Sequence, residues 1–314
     1  MSIPFLKGHG TQNDFVIVPD PDNAIALSPR AVAALCDRRA GIGGDGLIHV
    51  VRSAAHPEAA HLAGEAEWFM DYRNGDGSVA EMCGNGVRVF AHYLRRAGHV
   101  EAGDLAVATR GGIKRVHIAK DGQGSRDGQG SRDDRGAADG EGTDGAEEAA
   151  ITVAMGRAAF PEEQATVTVG AHSWPARNVN MGNPHAVAFI DDLDQAGDLF
   201  TPPPFAPAEV YPDGVNIEFV VDRGKRHVAL RVHERGVGET RSCGTGACAV
   251  AVATARRDGL DPSVTGAPVT YTVDVPGGRL VITEGVDGEI EMTGPAAIVA
   301  EGEISSEWFE TLDA

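Results

Sequence analysis

Two short segments of this 314-residue chain carry side chains able to move protons. Residues 82–98 read Met-Cys-Gly-Asn-Gly-Val-Arg-Val-Phe-Ala-His-Tyr-Leu-Arg-Arg-Ala-Gly, and residues 242–259 read Ser-Cys-Gly-Thr-Gly-Ala-Cys-Ala-Val-Ala-Val-Ala-Thr-Ala-Arg-Arg-Asp-Gly. Each sets Cys-Gly-x-Gly ahead of a helical stretch and closes it with Arg-Arg-x-Gly. Helical spacing puts Val87, Phe90, Ala91 and Leu94 on one face of the first stretch, and Ala247, Val250, Ala251 and Thr254 on one face of the second. A cysteine at a helix N-terminus lies near the positive end of the backbone dipole. That position favours the thiolate and can bring a thiol from about 8.5 towards neutrality. The glycines that follow leave backbone N–H groups open to a carboxylate. Two such ends facing each other would hold one anion between two thiols. One thiolate could then remove a proton from a carbon beside a carboxylate, while the opposite thiol returns a proton to the other face and inverts the centre.

The other candidates carry less chemistry. Cys36 and Cys248 lie in helical stretches with apolar neighbours and are read as packing residues. There is no Cys-x-x-Cys pair, and the 11 histidines lack ligand spacing, so no metal is expected. Gly41-Ile42-Gly43-Gly44-Asp45-Gly46 matches a dinucleotide fingerprint in letters only. It follows a helix and precedes a strand, the reverse of that motif, so it reads as a loop lining the site.

Charge and composition narrow the class. With 27 basic and 46 acidic residues the formal charge is −19, which argues against nucleic acid or anionic lipid as a partner. The apolar run around Ala247–Ala255 is well short of the roughly 20 residues a spanning helix needs, so no membrane segment is expected. Residues 1–7 lack the pattern of a secretory signal, and 4 cysteines are too few for a disulfide scaffold. A cytoplasmic location is the default expectation.

These residues must be positioned by folded elements. The length suggests two domains. Residues 15–18, 46–51 and 68–72 read as strands, and a helix capped by Ser28, with Pro29 at its first position, is expected to run to about Arg39. Pro276-Gly277-Gly278 between residues 271–275 and 279–283 signals a hairpin, and residues 289–293 and 297–300 continue the strands. Many strands with few helices indicate an α+β fold, and the repeated cysteine motif indicates an internal duplication. Residues 121–150 interrupt the pattern. They contain no Val, Ile, Leu or aromatic residue, open with a duplicated Asp-Gly-Gln-Gly-Ser-Arg hexapeptide, and carry 9 acids against 3 arginines. Such a stretch is expected to be a disordered acidic insert.

The chain resembles the diaminopimelate epimerase family over nearly its whole length outside that insert. The resemblance rests on seven motifs in order: His9-Gly10-Thr11-Gln12-Asn13-Asp14-Phe15; Gly41 to Gly46; Tyr72 to Ser78; Met82 to Arg88; Met181-Gly182-Asn183-Pro184-His185; Val215-Asn216; and Glu234 to Thr240 running into Cys243-Gly244-Thr245-Gly246. It implies a cofactor-independent epimerase interconverting LL- and meso-diaminopimelate, in lysine and peptidoglycan precursor biosynthesis. In that reading Cys83 donates and Cys243 accepts the proton in the LL-to-meso direction. Gly84, Asn85, Gly244 and Thr245 hold the reacting carboxylate and amine region. Asn13, Asn74, Asn183, Asn216, Glu234 and Arg235 bind substrate, and His185 and Glu234 tune the thiols. It implies two pseudo-symmetric domains, each a curled, mainly antiparallel sheet around a central helix. Residues 1–120 and 151–297 would form the two domains, with about 298–314 packing back on the first. A homodimer acting on a small molecule is implied as well. Gln12 stands where many members have glycine, and Thr245 where many have serine. Two other readings use the same thiols: a racemase of proline or hydroxyproline, whose members typically have His in place of Asn85, and a redox protein that joins Cys83 to Cys243. A non-catalytic binding module would leave the paired thiols without a purpose.

Overall fold

The computed structural model describes residues 2–120 and 149–312. The expected disordered insert therefore lies outside the described residues, with one correction at its end. Ala149 and Ala150 belong to a strand, paired with Ala296 and Pro295.

The first half contains strands β1 (Ile3–Gly10), β2 (Asn13–Pro19), β3 (Gly46–Arg52), β4 (Trp68–Asn74), β5 (Gly103–Thr109), β6 (Gly112–Ile118) and β7 (Ala149–Arg157). The second contains β8 (Ala165–Val169), β9 (His172–Asn180), β10 (Pro184–Phe189), β11 (Phe205–Ala206), β12 (Asn216–Gly224), β13 (His227–Glu234), β14 (Gly238–Thr240), β15 (Val269–Val275), β16 (Gly278–Glu284) and β17 (Glu289–Ile304). Helices α1 (Pro29–Cys36), α2 (Gly84–Arg96) and α3 (Gly244–Arg257) are the longer ones.

The two halves repeat one pairing order. From β1 to β7, successive neighbours pair antiparallel, parallel, antiparallel, parallel, antiparallel, antiparallel. The series β9, β10, β12, β13, β15, β16, β17 gives the same order. In both halves the second parallel step is the crossover that carries the central helix, α2 or α3. The long β17 joins the halves. Its first part pairs with β16 and β7, and its second part pairs with β1, from His9↔Ala297 to Ile3↔Ile304. The curled sheets thus share an edge and wrap two helices.

Local chemistry accounts for these elements. Residues Phe15-Val16-Ile17-Val18 are buried on both faces of their strand. Phe15 and Ile17 face the core around Phe90 on α2, whereas Val16 and Val18 face Val32 and Leu35 on α1. Ser28 caps α1 as expected, its side chain accepting from Ala31 N at 3.1 Å. The helix ends at Cys36, short of Arg39. The Asp37 carboxylate accepts from the amides of Arg39 and Ala40, both at 2.7 Å, and that turn competes with further helix. The repeated Arg-Arg-x-Gly stop is explained by matching caps. Gly98 (φ +72°) and Gly259 (φ +74°) take the left-handed conformation. The next amides, His99 and Leu260, reach back to Leu94 and Ala255 at 2.9 and 2.8 Å. Every residue of Ala247–Ala255 on α3 is buried, none more than 3% exposed, which explains its uniformly small residues.

Candidate active site

Cys83 is the N-cap of α2 and Cys243 the N-cap of α3. Each sulfur accepts the amide N–H of the third helical residue, Gly86 or Gly246, at 3.4 Å. The duplicated motif therefore places two thiols in the same local geometry, each beside the free N–H groups of a first helical turn.

The two turns are stitched together. Asn85, 2% exposed, donates its Nδ2 to the Ser242 carbonyl at 3.0 Å and to Asn13 Oδ1 at 3.2 Å. Asn13 Oδ1 also accepts from Cys83 Sγ at 3.6 Å, and its Nδ2 donates to Asp45 Oδ2 at 2.8 Å. The glycine-rich loop thus reaches the site through Asp45. Met292 on β17 lies between the helix ends: a Cβ built on Gly84 or Gly244 would meet its methyl carbon at 2.9 or 3.3 Å. Gly84, Asn85, Gly244 and Thr245 occupy the first turns of their helices, and Thr245 Oγ1 lies 3.5 Å from Cys243 Sγ.

Around Cys243 the remaining residues fall into place by strand. Glu234 ends β13, accepts a hydrogen bond from Thr240 Oγ1, and lies near enough to Cys243 for the two groups to act on each other's protons. Asn183 Nδ2 points to Thr245 Oγ1 at 3.5 Å, while its Oδ1 lies 3.1 Å from His185 Nε2. From His185 the contacts run through Asn183 and Thr245 to Cys243. Asn216 fixes the corner after β13, its Oδ1 accepting from Arg235 N at 2.9 Å. Arg235 is exposed, its guanidinium on the Asp213 carbonyl at 3.2 Å. Asn74 also braces its own turn, with Nδ2 on Ser78 Oγ at 2.9 Å and Oδ1 accepting from Tyr72 at 3.1 Å, which leaves one N–H and one lone pair of the amide for a ligand.

Burial works against the lowering expected from the helix ends. Burial pushes Cys83 up to about 11, outweighing the Gly86 N–H. Burial, then the charges of Glu234 and Glu218, push Cys243 well above its ordinary value. Glu234 is itself raised by burial, although bonds from Thr240 and Cys243 oppose that shift.

Four participants were missed in the sequence. Arg88, fully buried, donates to Asn85 Oδ1 at 2.8 Å and Thr11 Oγ1 at 3.1 Å, and its charge opposes the rise at Cys83. Thr11 in turn meets Ser242 Oγ at 2.6 Å, and Glu218 meets His185 Nδ1 at 2.6 Å. Arg88, Thr11 and Ser242 lie within or beside the recognised motifs, which was their one signal; Glu218 offered only its place two residues after Asn216. Among the described residues no group of three or more His, Cys, Asp or Glu could hold a metal ion. Nor is any helix among them long and apolar enough to cross a membrane.

The sequence pattern of the diaminopimelate epimerase family matches residues 5–131 and 177–299. The diaminopimelate epimerase of Streptomyces coelicolor is 72% identical over 308 residues, covering 98% of this chain and 97% of that protein. The diaminopimelate epimerase of Mycolicibacterium smegmatis is 41% identical over 317 residues, covering 98% and 99%. Among solved structures, a Bacillus anthracis phenazine biosynthesis protein of the PhzF family superposes with TM-score 0.66 at 16% identity, covering 97% of this chain and 99% of that one. A hydroxyproline epimerase from Agrobacterium vitis superposes with TM-score 0.61 at 14% identity, covering 97% and 93%. These two likenesses speak for the fold alone.

Proposed function

The chain belongs to the diaminopimelate epimerase family, and from that premise we propose how its residues divide the work. It is an isomerase that epimerises LL-diaminopimelate to meso-diaminopimelate, in lysine and peptidoglycan precursor biosynthesis. Cys243 removes the α-proton of the LL isomer, and Cys83 delivers a proton to the opposite face. The roles reverse for the meso isomer. The N–H groups at Gly84–Asn85 and Gly244–Thr245 hold the reacting carboxylate, where negative charge develops as the carbon loses its proton. Glu234, in contact with the Cys243 thiol, takes up its proton and so makes the thiolate. Asn13, Asn74, Asn183 and Asn216 bind the zwitterion through neutral amides, and Arg235 takes the distal carboxylate. His185 acts on this set through Asn183. Both proton carriers are side chains, so the chemistry calls for no cofactor.

One observation carries this reading: two N-cap thiols on equivalent helices whose first turns are joined through Asn85 and Ser242. Its test is α-proton exchange in deuterated water, followed by proton NMR with diaminopimelate and, for contrast, proline. Cys83→Ser and Cys243→Ser are each expected to slow epimerisation by about 10²–10⁴-fold while the fold persists. Full activity in either variant, or turnover of proline alone, would overturn the assignment. The same reading carries a cytoplasmic homodimer, which light scattering of the purified protein checks.

A further inference from the structure

Glu218 has no role in the scheme above, yet it is fully buried. It follows Asn216 by two residues on β12, so both side chains point to one face of the strand. That face lies under the first turn of α3: a Cβ on Gly246 would sit 2.8 Å from Glu218 Oε1. Oε1 is 2.6 Å from Nδ1 of His185, which is equally buried, and Oε2 has no hydrogen-bond partner among the described residues. From the ring the contacts continue to Asn183 Oδ1 at 3.1 Å, from Asn183 Nδ2 to Thr245 Oγ1 at 3.5 Å, and on to Cys243 Sγ at 3.5 Å. The titratable groups facing Glu218 are His185 from β10, Glu234 from β13, Cys243 at the start of α3 and Tyr211 from the loop before β12.

A carboxylate and an amide carbonyl oxygen can only accept. With an acceptor placed at each ring nitrogen, the geometry is that of a ring donating from both, with Glu218 as its counter-ion. A buried pair of this kind adds little stability over packed apolar side chains, so its consequence must be sought in what it orients. The doubly protonated ring takes the carbonyl oxygen of Asn183 and turns the NH2 group towards Thr245 and the thiol. A neutral ring protonated only at Nδ1 would present a lone pair at Nε2. The amide would then turn over and offer oxygen to the pocket.

We propose that Glu218 is a positioning residue: through His185 it fixes the Asn183 amide with its NH2 group outward, as a donor to a substrate carboxylate. This rests on the epimerase reading and deepens it. The test uses the full-length enzyme and its Glu218→Gln variant, which keeps the acceptor and the shape but loses the charge. The ¹⁵N ring signals of His185, assigned through its backbone, are expected to report two protonated nitrogens in the wild type at neutral pH and only Nδ1 in the variant. The KM for LL-diaminopimelate is expected to rise on the order of tenfold, with kcat and the thermal midpoint changed less. A singly protonated wild-type ring overturns the proposal whether or not any variant folds, and so does a Glu218→Gln enzyme with wild-type KM. A wild type that exchanges no α-proton would sink the epimerase reading instead. The ring measurement needs no turnover, so the two failures stay distinct.

Discussion

Each N-cap thiol is caught between opposing effects: the helix-end N–H groups favour its charged form, and burial disfavours it. Burial wins, so the folded protein holds the Cys83 proton to about 11, against an ordinary value of 9.0. A group that binds its proton more tightly when folded leaves stability intact below its unfolded value and erodes it above that value. Stability is therefore expected to fall as pH rises from 9 towards about 11, with Cys83 accounting for about 2 kcal/mol at the upper end. Urea midpoints at pH 7, 9 and 10.5, in reductant, check this. The slope should be shallower in Cys83→Ala, and equal slopes would contradict it. The two cysteines were legible because their motif occurs twice, and the asparagines because they stand in ordered motifs. Glu218 and Arg88 were not, because a buried charge takes its meaning from partners such as His185 and Thr11, which only the strand register brings near.

At the scale of elements, the halves meet turn against turn. The tight β1–β2 turn holds Thr11 and Gln12 at φ +50° and +61°, a conformation that favours glycine. Thr11 is locked there by Ser242 Oγ and Arg88. Against it lies the β15–β16 turn, where Gly277 N donates to the Arg241 carbonyl at 2.8 Å. A Cβ on Gly277 would overlap the Thr11 carbonyl oxygen, which is backbone and cannot swing aside. Gly277→Ala is thus expected to cost about 1–3 kcal/mol and to lower kcat/KM, because the displaced turn pulls on the Thr11–Ser242 contact beside Cys243. Gly64, with nothing within 4 Å of a built Cβ, serves as the control, and its alanine variant should behave as wild type. Thermal melts and initial rates of both variants decide the matter. The hairpin at Pro276-Gly277 was readable from its turn residues, as were the cap at Ser28 and the two central helices. Strands such as β10 and β12 escaped notice, because burial on both faces removes the alternation that marks a strand.

For the whole molecule, the repeated pairing order makes β17 the common member of both curled sheets, since it pairs with β1, β7 and β16. The duplication could be inferred from the cysteine motifs. This shared strand could not, because residues 289–293 and 297–300 read as separate strands interrupted by Gly294 and Pro295, whereas the chain runs unbroken from Glu289 to Ile304. Pro295 is tolerated within the strand because its partner Ala150 turns its carbonyl to β6, accepting from Ala119 N at 3.1 Å, so the Pro295–Ala150 pair has no ladder bond to lose. The same register bears on the acidic insert. Strands β6 and β7 already pair from Val116↔Val153 to Ile118↔Ile151, and Ala119 N reaches Ala150 O at 3.1 Å. The chain ends on either side of residues 121–148 are therefore within reach of a short turn, and loop length alone changes closure entropy slowly. Replacing 121–148 by an Asn-Gly turn is expected to leave kcat and KM for diaminopimelate within about twofold, and stability equal or slightly higher. Steady-state rates and thermal midpoints of that variant against the full chain are the measurement. A folded variant with a large loss of kcat would mean that the insert takes part in catalysis, and would overturn the view that the two curled sheets and β17 suffice to hold the thiols in place.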